Sequence, residues 1–278
     1  MPLRIVQSKQ NPRLKELRKA LTLPARASES GTLIGLEGPN LIHEALRAGL
    51  TLNTLFFAEE KLLTPLTRSF PELLSVESLL IPRDLLNSTL TTESPQPIAA
   101  LVEAPVWSWD SIAGVGPILI LAGLQDPGNL GTILRSAEAF SAAAIISLPG
   151  TVSPWNPKAL RASAGSAFRI PFLAATPKGA FAHLRKVGRH IFTTAVEGAP
   201  SASDANLAAP FALIIGNEGN GVSQDIAAQA DSSITIPTGS VESLNAAIAA
   251  SILLYEASRQ RNAQSAPVKS TSNKRARP

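Results

Sequence analysis

The sequence predicts an α/β protein in two parts, a small N-terminal α/β unit followed by a larger one built on a parallel sheet. Three observations predict this. After Gly116, short apolar runs alternate with helical patterns, the rhythm of parallel strands covered on both faces. Between residues 91 and 105 the helical pattern fails, and Pro95, Pro97 and Pro105 bracket an extended stretch, so a boundary falls near 105–115. The chain has 278 residues, 45% of them hydrophobic, enough for two cores at roughly 150 residues per domain.

Each element has its own reason. Residues 12–21 (PRLKELRKAL) place Leu14, Leu17 and Leu21 on one helical face. Residues 32–36 (TLIGL) read as a strand, and 39–48 (PNLIHEALRA) as a helix opened by Pro39 and closed at Gly49. A strand over 54–57 and a Leu-rich helical stretch near 59–68 follow. In the second part, 117–123 (PILILAG) is a continuous apolar strand and 129–140 (NLGTILRSAEAF) a helix. Further strands are expected over 143–148, 190–196 (HIFTTAV), 211–216 (FALIIG) and 233–236, then a long helix over 243–261. The organisation read from this is a first domain over 1–105, a linker over 106–115, a second domain over 116–262 and a disordered basic tail over 263–278.

Composition narrows the function. There is no cysteine, so disulfides, thiolate zinc sites and cysteine nucleophiles are excluded. His43, His183 and His190 are scattered without metal-ligand spacing, and no metal is expected. No apolar run is long enough for a transmembrane helix, and the basic first 25 residues lack the apolar block of a secretory signal, so a soluble cytoplasmic protein is expected. Charge is uneven: residues 1–26 hold seven Lys/Arg against Glu16, residues 27–105 hold four against ten acids, and 263–278 hold four bases and no acid. Two basic ends suit a polyanionic partner, although a basic end is also an ordinary solvated surface.

No GxxxxGK[ST] occurs, and the glycines of GNEGNG (216–221) have the wrong offsets for a nicotinamide fingerprint. Three polar clusters remain at the carboxyl ends of expected strands, where open α/β sheets bind ligands. They are 125–131 (QDPGNLG), followed by Arg135; 216–221; and 236–245 (IPTGSVESLN). Each alone reads as a turn or a capped helix start, the third capped by Ser243. Together they suggest a ligand held largely by backbone groups, because glycine permits close approach.

In this order and spacing, DPGNLGTILRSAEA, LIIGNEGNGVS and IPTGSVESLNAAIAASILLYE resemble the three motifs of the SpoU (TrmH) family of RNA ribose 2′-O-methyltransferases, over about residues 117–261. Residues 161–168 (RASAGSAF) resemble a further family segment. Residues 8–19 and 33–48 are similar to the small, ribosomal-protein-like RNA-binding domain of its ribosomal-RNA branch. The resemblance implies a trefoil-knotted catalytic domain, S-adenosylmethionine as cofactor, and a homodimer whose active sites mix residues of both subunits. It assigns Asn129, Arg135, Glu218, Ser243 and Asn245 to catalysis. It assigns Gly216, Asn217, Gly221, Ile236, Pro237, Gly239 and Leu244 to the cofactor. Lys9, Arg13, Lys15, Arg18, Lys19 and Arg161 are the expected RNA contacts, with the segment from Lys9 to Arg26 and the tail gripping phosphates. Two positions depart from the family pattern: the third motif is one residue shorter between Pro237 and Val241, and Ser141 stands where glycine commonly ends the first helix.

The implied reaction is methylation of a ribose 2′-hydroxyl, in ribosomal RNA before transfer RNA. The resemblance gives Arg135 the role of base; because a guanidinium stays protonated, clamping the adjacent phosphate and orienting the 2′-hydroxyl is the preferred expectation, with the phosphate or water taking the proton. Glu218 is expected to orient Arg135, Asn129 to position Arg135 or the ribose, and Ser243 and Asn245 to shape the loop and hold the target nucleotide. Methylation of a base nitrogen, or a catalytically silent RNA-binding protein, are the competing readings.

Overall fold

The computed structural model describes residues 3–23, 31–112, 114–195, 198–241 and 243–265; Arg26, Glu242 and tail residues 266–278 lie outside them. Two sheets organise the chain. The first part holds β1 (Leu3–Ile5), α1 (Pro12–Thr22), β2 (Leu33–Glu37), α2 (Pro39–Arg47), β3 (Leu52–Phe57), α3 (Leu63–Ser69), β4 (Glu77–Leu80), α4 (Arg83–Asn87) and β5 (Ile98–Glu103). Its strands run in the order β1-β4-β3-β5-β2, with β5 antiparallel to both neighbours and the other pairs parallel. Helix α1 starts where Asn11 accepts the N–H groups of Arg13 and Leu14, with Pro12 in its first turn.

Alternation along β2 separates the two faces of this sheet. Ile34 and Leu36 pack with Leu41, Ile42 and Ala45 of α2. Gly35 meets α1, so closely that a Cβ would lie 2.7 Å from Leu21. Helices α1 and α2 therefore cover opposite faces.

The second part holds β6 (Ile118–Leu121), α5 (Pro127–Ala139), β7 (Ala144–Ser147), α6 (Pro157–Ser163), β8 (Phe172–Ala174), α7 (Pro177–Lys186), β9 (His190–Thr194), β10 (Phe211–Ile215), α8 (Gln224–Ala227), β11 (Ser232–Ile234) and α9 (Ala246–Ser265). Its six strands run in the order β11-β9-β10-β6-β7-β8, every pair parallel. Strand β6 is apolar throughout because both faces are covered. Leu119 and Leu121 join the cluster of α5 and α9, while Ile118 and Ile120 join that of α7. The order reverses between β6 and β10, so the loops leaving their carboxyl ends lie side by side at the sheet's topological switch point.

Helix α5 begins at Pro127, two residues before the expected start, because the Asp126 side chain accepts the Asn129 N–H at 2.8 Å. Ser141, just past its end, takes a left-handed φ of 56°, the conformation for which glycine is favoured there. Helix α9 begins at Ala246 and not at Ser243. Its cap is Asn245, whose Oδ1 accepts the N–H groups of Ala247 (2.9 Å) and Ile248 (3.2 Å), which corrects the capping role expected of Ser243. Along α9, Ala247, Ala250, Leu253, Leu254 and Ala257 are buried, while Ile248, Ile252 and Tyr255 are exposed.

The two parts share one continuous apolar cluster running from α2 into α5 and α9. They are also tied by Arg169, which binds Glu44 of α2 at 2.8 Å and Glu138 of α5 through both Nε and Nη2. No helix among the described residues is long and apolar enough to cross a membrane.

Candidate active site

The loops after β6 and β10 are stitched to each other. Glu218 Oε1 accepts the Asp126 N–H (3.0 Å) and Asn129 Nδ2 (3.1 Å), and Oε2 accepts the Gln125 N–H (3.2 Å). Asn217 Nδ2 donates to the Gly123 carbonyl (2.8 Å), and its Oδ1 accepts the N–H groups of Gly219 and Asn220. The third loop joins through Asn245, whose Nδ2 donates to Asn129 Oδ1 at 3.0 Å. A directional relay results: Asn245 to Asn129 to Glu218. Each amide orientation is forced, because Glu218 only accepts and the α9 N–H groups only donate; turning any amide over sets donor against donor or acceptor against acceptor.

The electrostatics follow. Burial acts to raise the Glu218 carboxyl, but hydrogen bonds from Asn129 and the main-chain N–H groups of Asp126 and Gln125 outweigh it and hold it below the ordinary carboxylate value. Asp126 is also held low, first by the Asn129 N–H and, against some burial, by Lys158 at 3.3 Å. Both are carboxylates at neutral pH, and Glu218 is a poor base.

Beside the relay lies a cavity of about 600 Å³ between the second and third loops. Of the expected residues, Gly216, Asn217, Glu218, Gly221, Ile236, Ser243, Leu244 and Asn245 line it. Gly216 cannot carry a side chain, since a Cβ would lie 2.3 Å from the Gly221 carbonyl carbon. Ile215, Ile234, Ile236 and Leu244 make the apolar part of the wall, and Thr194 and Thr238 add hydroxyls that the sequence reading missed. Thr194 ends β9, whose loop carries a single glycine, Gly198, and not the Gly/Asn cluster that drew attention elsewhere.

Several expectations need correction. Pro237 and Gly239 are exposed and do not line the cavity; Thr238, anchored by its hydroxyl to the Val241 carbonyl, forms the wall there. Asn217 lines it, but its side chain is occupied in building the loop. Ser243 lines it without joining the relay. Arg135 is exposed on α5, does not line the cavity, and makes no hydrogen bond or ion pair among the described residues. Glu218 and Asn129 bind each other instead of orienting Arg135. Arg13 is paired with Glu16 (2.8 Å) and Glu77 (2.9 Å), so its charge is already neutralised. Lys9, Lys15, Arg18 and Lys19 are exposed, but the three on α1 cover the sheet face opposite α2, the helix that carries the ion pair to the second part. Arg161 lies elsewhere, in a cleft between the two parts. Among the described residues no group of three His, Asp or Glu is placed to hold a metal.

Comparison with known proteins agrees with this architecture. The profile of the SpoU rRNA Methylase family matches residues 116–255, and that of RNA 2′-O ribose methyltransferase substrate binding matches residues 36–107. The chain is 31% identical over 252 residues to 23S rRNA (guanosine(2553)-2′-O)-methyltransferase RlmP of Bacillus subtilis (strain 168), covering 90% of this chain and 97% of that one. It is 31% identical over 234 residues to a 23S rRNA (uridine(2479)-2′-O)-methyltransferase of Streptomyces viridochromogenes, covering 81% and 82%. Among solved structures it is similar to the SpoU methyltransferase AviRb from Streptomyces viridochromogenes in complex with the cofactor AdoMet, with a TM-score of 0.77, 29% identity, and coverage of 91% of this chain and 99% of that one.

Proposed function

Because the chain belongs to the SpoU rRNA methylase family, we propose that it transfers a methyl group from S-adenosylmethionine to a ribose 2′-hydroxyl of 23S ribosomal RNA. The observation that carries this reading is the Asn245–Asn129–Glu218 relay at the switch point, beside a cavity of about 600 Å³. That volume lies in the range of cofactor sites, roughly 300–1,000 Å³. Its residues fit the cofactor: Ile215, Ile234, Ile236 and Leu244 offer an apolar slot for an adenine, and Thr194, Thr238 and the glycine-loop backbone offer partners for polar groups. Bound there, S-adenosylmethionine supplies an electrophilic methyl carbon.

The chain's own residues then have three tasks. Gly216 and Gly221 let the second loop turn tightly beside the cavity. The relay holds the loops in register, so that a ribose oxygen is presented in line and close, near 3 Å. Arg135 clamps the neighbouring phosphate. Because it stands away from the cavity of its own chain, it serves the site of a second copy, with water or the phosphate taking the hydroxyl proton. The exposed Ile248, Ile252 and Tyr255, spaced i, i+4 and i+7 on α9, give that homodimer an apolar face. The reading includes a trefoil knot in the second part, a substrate-binding domain over 1–105, a linker over 106–115, a methyltransferase domain over 116–262, and a cytoplasmic site of action.

The test is transfer of labelled methyl from S-adenosylmethionine to total RNA of cells lacking the gene, followed by sizing and nuclease digestion. Label on a ribose of 23S RNA is expected. Label on transfer RNA or on a base would overturn the substrate or the reaction, and no label from protein that binds cofactor and RNA would favour a silent binder.

A further inference from the structure

The RASAGSAF segment and the loop before β5 meet in a cleft of about 450 Å³ between the two parts, which the transfer reaction does not use. Its walls are fixed. Glu37, 8% exposed, accepts both the N–H and the hydroxyl of Thr91 (2.7 and 2.6 Å) and of Thr92 (3.2 and 2.8 Å), pinning the loop that precedes β5. Arg169 locks Glu44 of the opposite wall to α5. Gly165, at a φ of +88°, sits so close to α2 that a Cβ would lie 2.6 Å from that of Glu44. Both acids of the cleft are thus satisfied, and Arg161 is left without an ion-pair partner among the described residues.

Four side chains facing this cleft, Asn40, Ser94, Gln96 and Arg161, make no hydrogen bond among the described residues. They offer two amides, a hydroxyl and a guanidinium. Helix α6, which lends Arg161 to the cleft, also reaches the first loop of the site. Lys158, one turn before Arg161 on α6, holds Asp126, and three residues of helix advance about 4.5 Å.

We propose that this cleft is a second RNA subsite, which takes one unstacked nucleotide flanking the methylated one. Arg161 holds its phosphate, and Asn40, Ser94 and Gln96 read the hydrogen-bonding edge of its base. Unstacked bases recognised on their edges are the usual targets of sequence-specific RNA binding, and amide side chains offer the donor–acceptor pairs this needs. The inference rests on the RNA reading above.

The experiment measures filter binding of 23S RNA, taken from cells lacking the gene, to the full chain across a salt series. Arg161→Ala is expected to weaken binding about 10-fold and to lower the salt slope by about one. Gln96→Ala and Asn40→Ala should each weaken it about 5- to 10-fold with the slope unchanged. Calorimetry with S-adenosylmethionine, expected at wild-type affinity in all three, shows that they are folded. Wild-type RNA affinity and slope in all three variants would overturn the subsite. RNA binding that the variants lose, in a protein that transfers no methyl, would uphold the cleft and sink only the methylation reading.

Discussion

Gly131 tests whether α5 and α6 are held as closely as the site requires. A Cβ at this position would lie 2.4 Å from Ala162 Cβ, 2.6 Å from the Ala159 carbonyl oxygen and 2.9 Å from the Ser163 nitrogen. Carbon atoms rest about 3.5–4.0 Å apart, so Gly131→Ala must part the two helices by roughly 1 Å. Overpacking of this kind costs about 1–3 kcal/mol, and alanine regains about 1 kcal/mol of helix propensity over glycine. Two of the three contacts are main-chain atoms that have no rotamer to escape into, which favours the upper half of the range. The expected net is about 1–2 kcal/mol of destabilisation, a melting temperature lowered by about 2–3 °C. Adding Ala162→Gly removes the shortest contact but neither main-chain one, so recovery should be partial. Because Lys158 of α6 holds Asp126, methyl transfer should fall as well, while S-adenosylmethionine affinity stays, no α6 residue lining the cavity. A melting temperature equal to or above the parent's would refute the reasoning, since helix propensity would then have outweighed the collision.

Four further outcomes are expected. Gly216→Ala, whose Cβ would strike the Gly221 carbonyl at 2.3 Å, should abolish cofactor binding in calorimetry. Arg135→Lys should cut methyl transfer at least about 100-fold without changing cofactor affinity, because a point charge lacks the planar fork; full activity would count against the clamp. Since the Glu218 carboxyl is held below its ordinary value, near 4.3, its contribution to stability is complete above that value and is lost as pH falls through the folded value; Glu218→Gln should flatten this acid limb in denaturation monitored between pH 2 and 6. Ser141→Gly should stabilise the protein by about 1 kcal/mol, read as a higher urea midpoint, by relieving a left-handed residue with a side chain.

What could be read from the sequence divides along a physical line. Continuous apolar strands such as β6 and β10 announce themselves, and so do the Gly- and Asn-rich loops that end them, because burial and loop chemistry are local. Strands β1, β4 and β8 were not foreseen: three or four residues in parallel pairing leave no alternation to detect, and β1 is specified only by β4, more than seventy positions away. The polar residues of the site were legible as types, while their connectivity was not. Nothing local says that Glu218 holds Asn129 and not Arg135, or that Arg13 meets Glu77, 64 residues distant, and so is no free phosphate ligand. Thr194 was overlooked because a hydroxyl at the end of β9 looks like any strand residue, and Thr238, though inside the third cluster, was passed over for its neighbours Pro237 and Gly239.

The relay also sets an order of events during synthesis. Its two links span 89 and 116 positions of sequence, so Asn129 must wait for Glu218, and then for Asn245, to be made. At about 5–20 residues per second the second wait is on the order of ten seconds. Until the C-terminal helix has emerged, the first loop has a cap from Asp126 but no acceptor for the Asn129 amide and no donor to its carbonyl. The relay is therefore the last part of the molecule to be completed, and a prematurely terminated chain carries most of the fold without it.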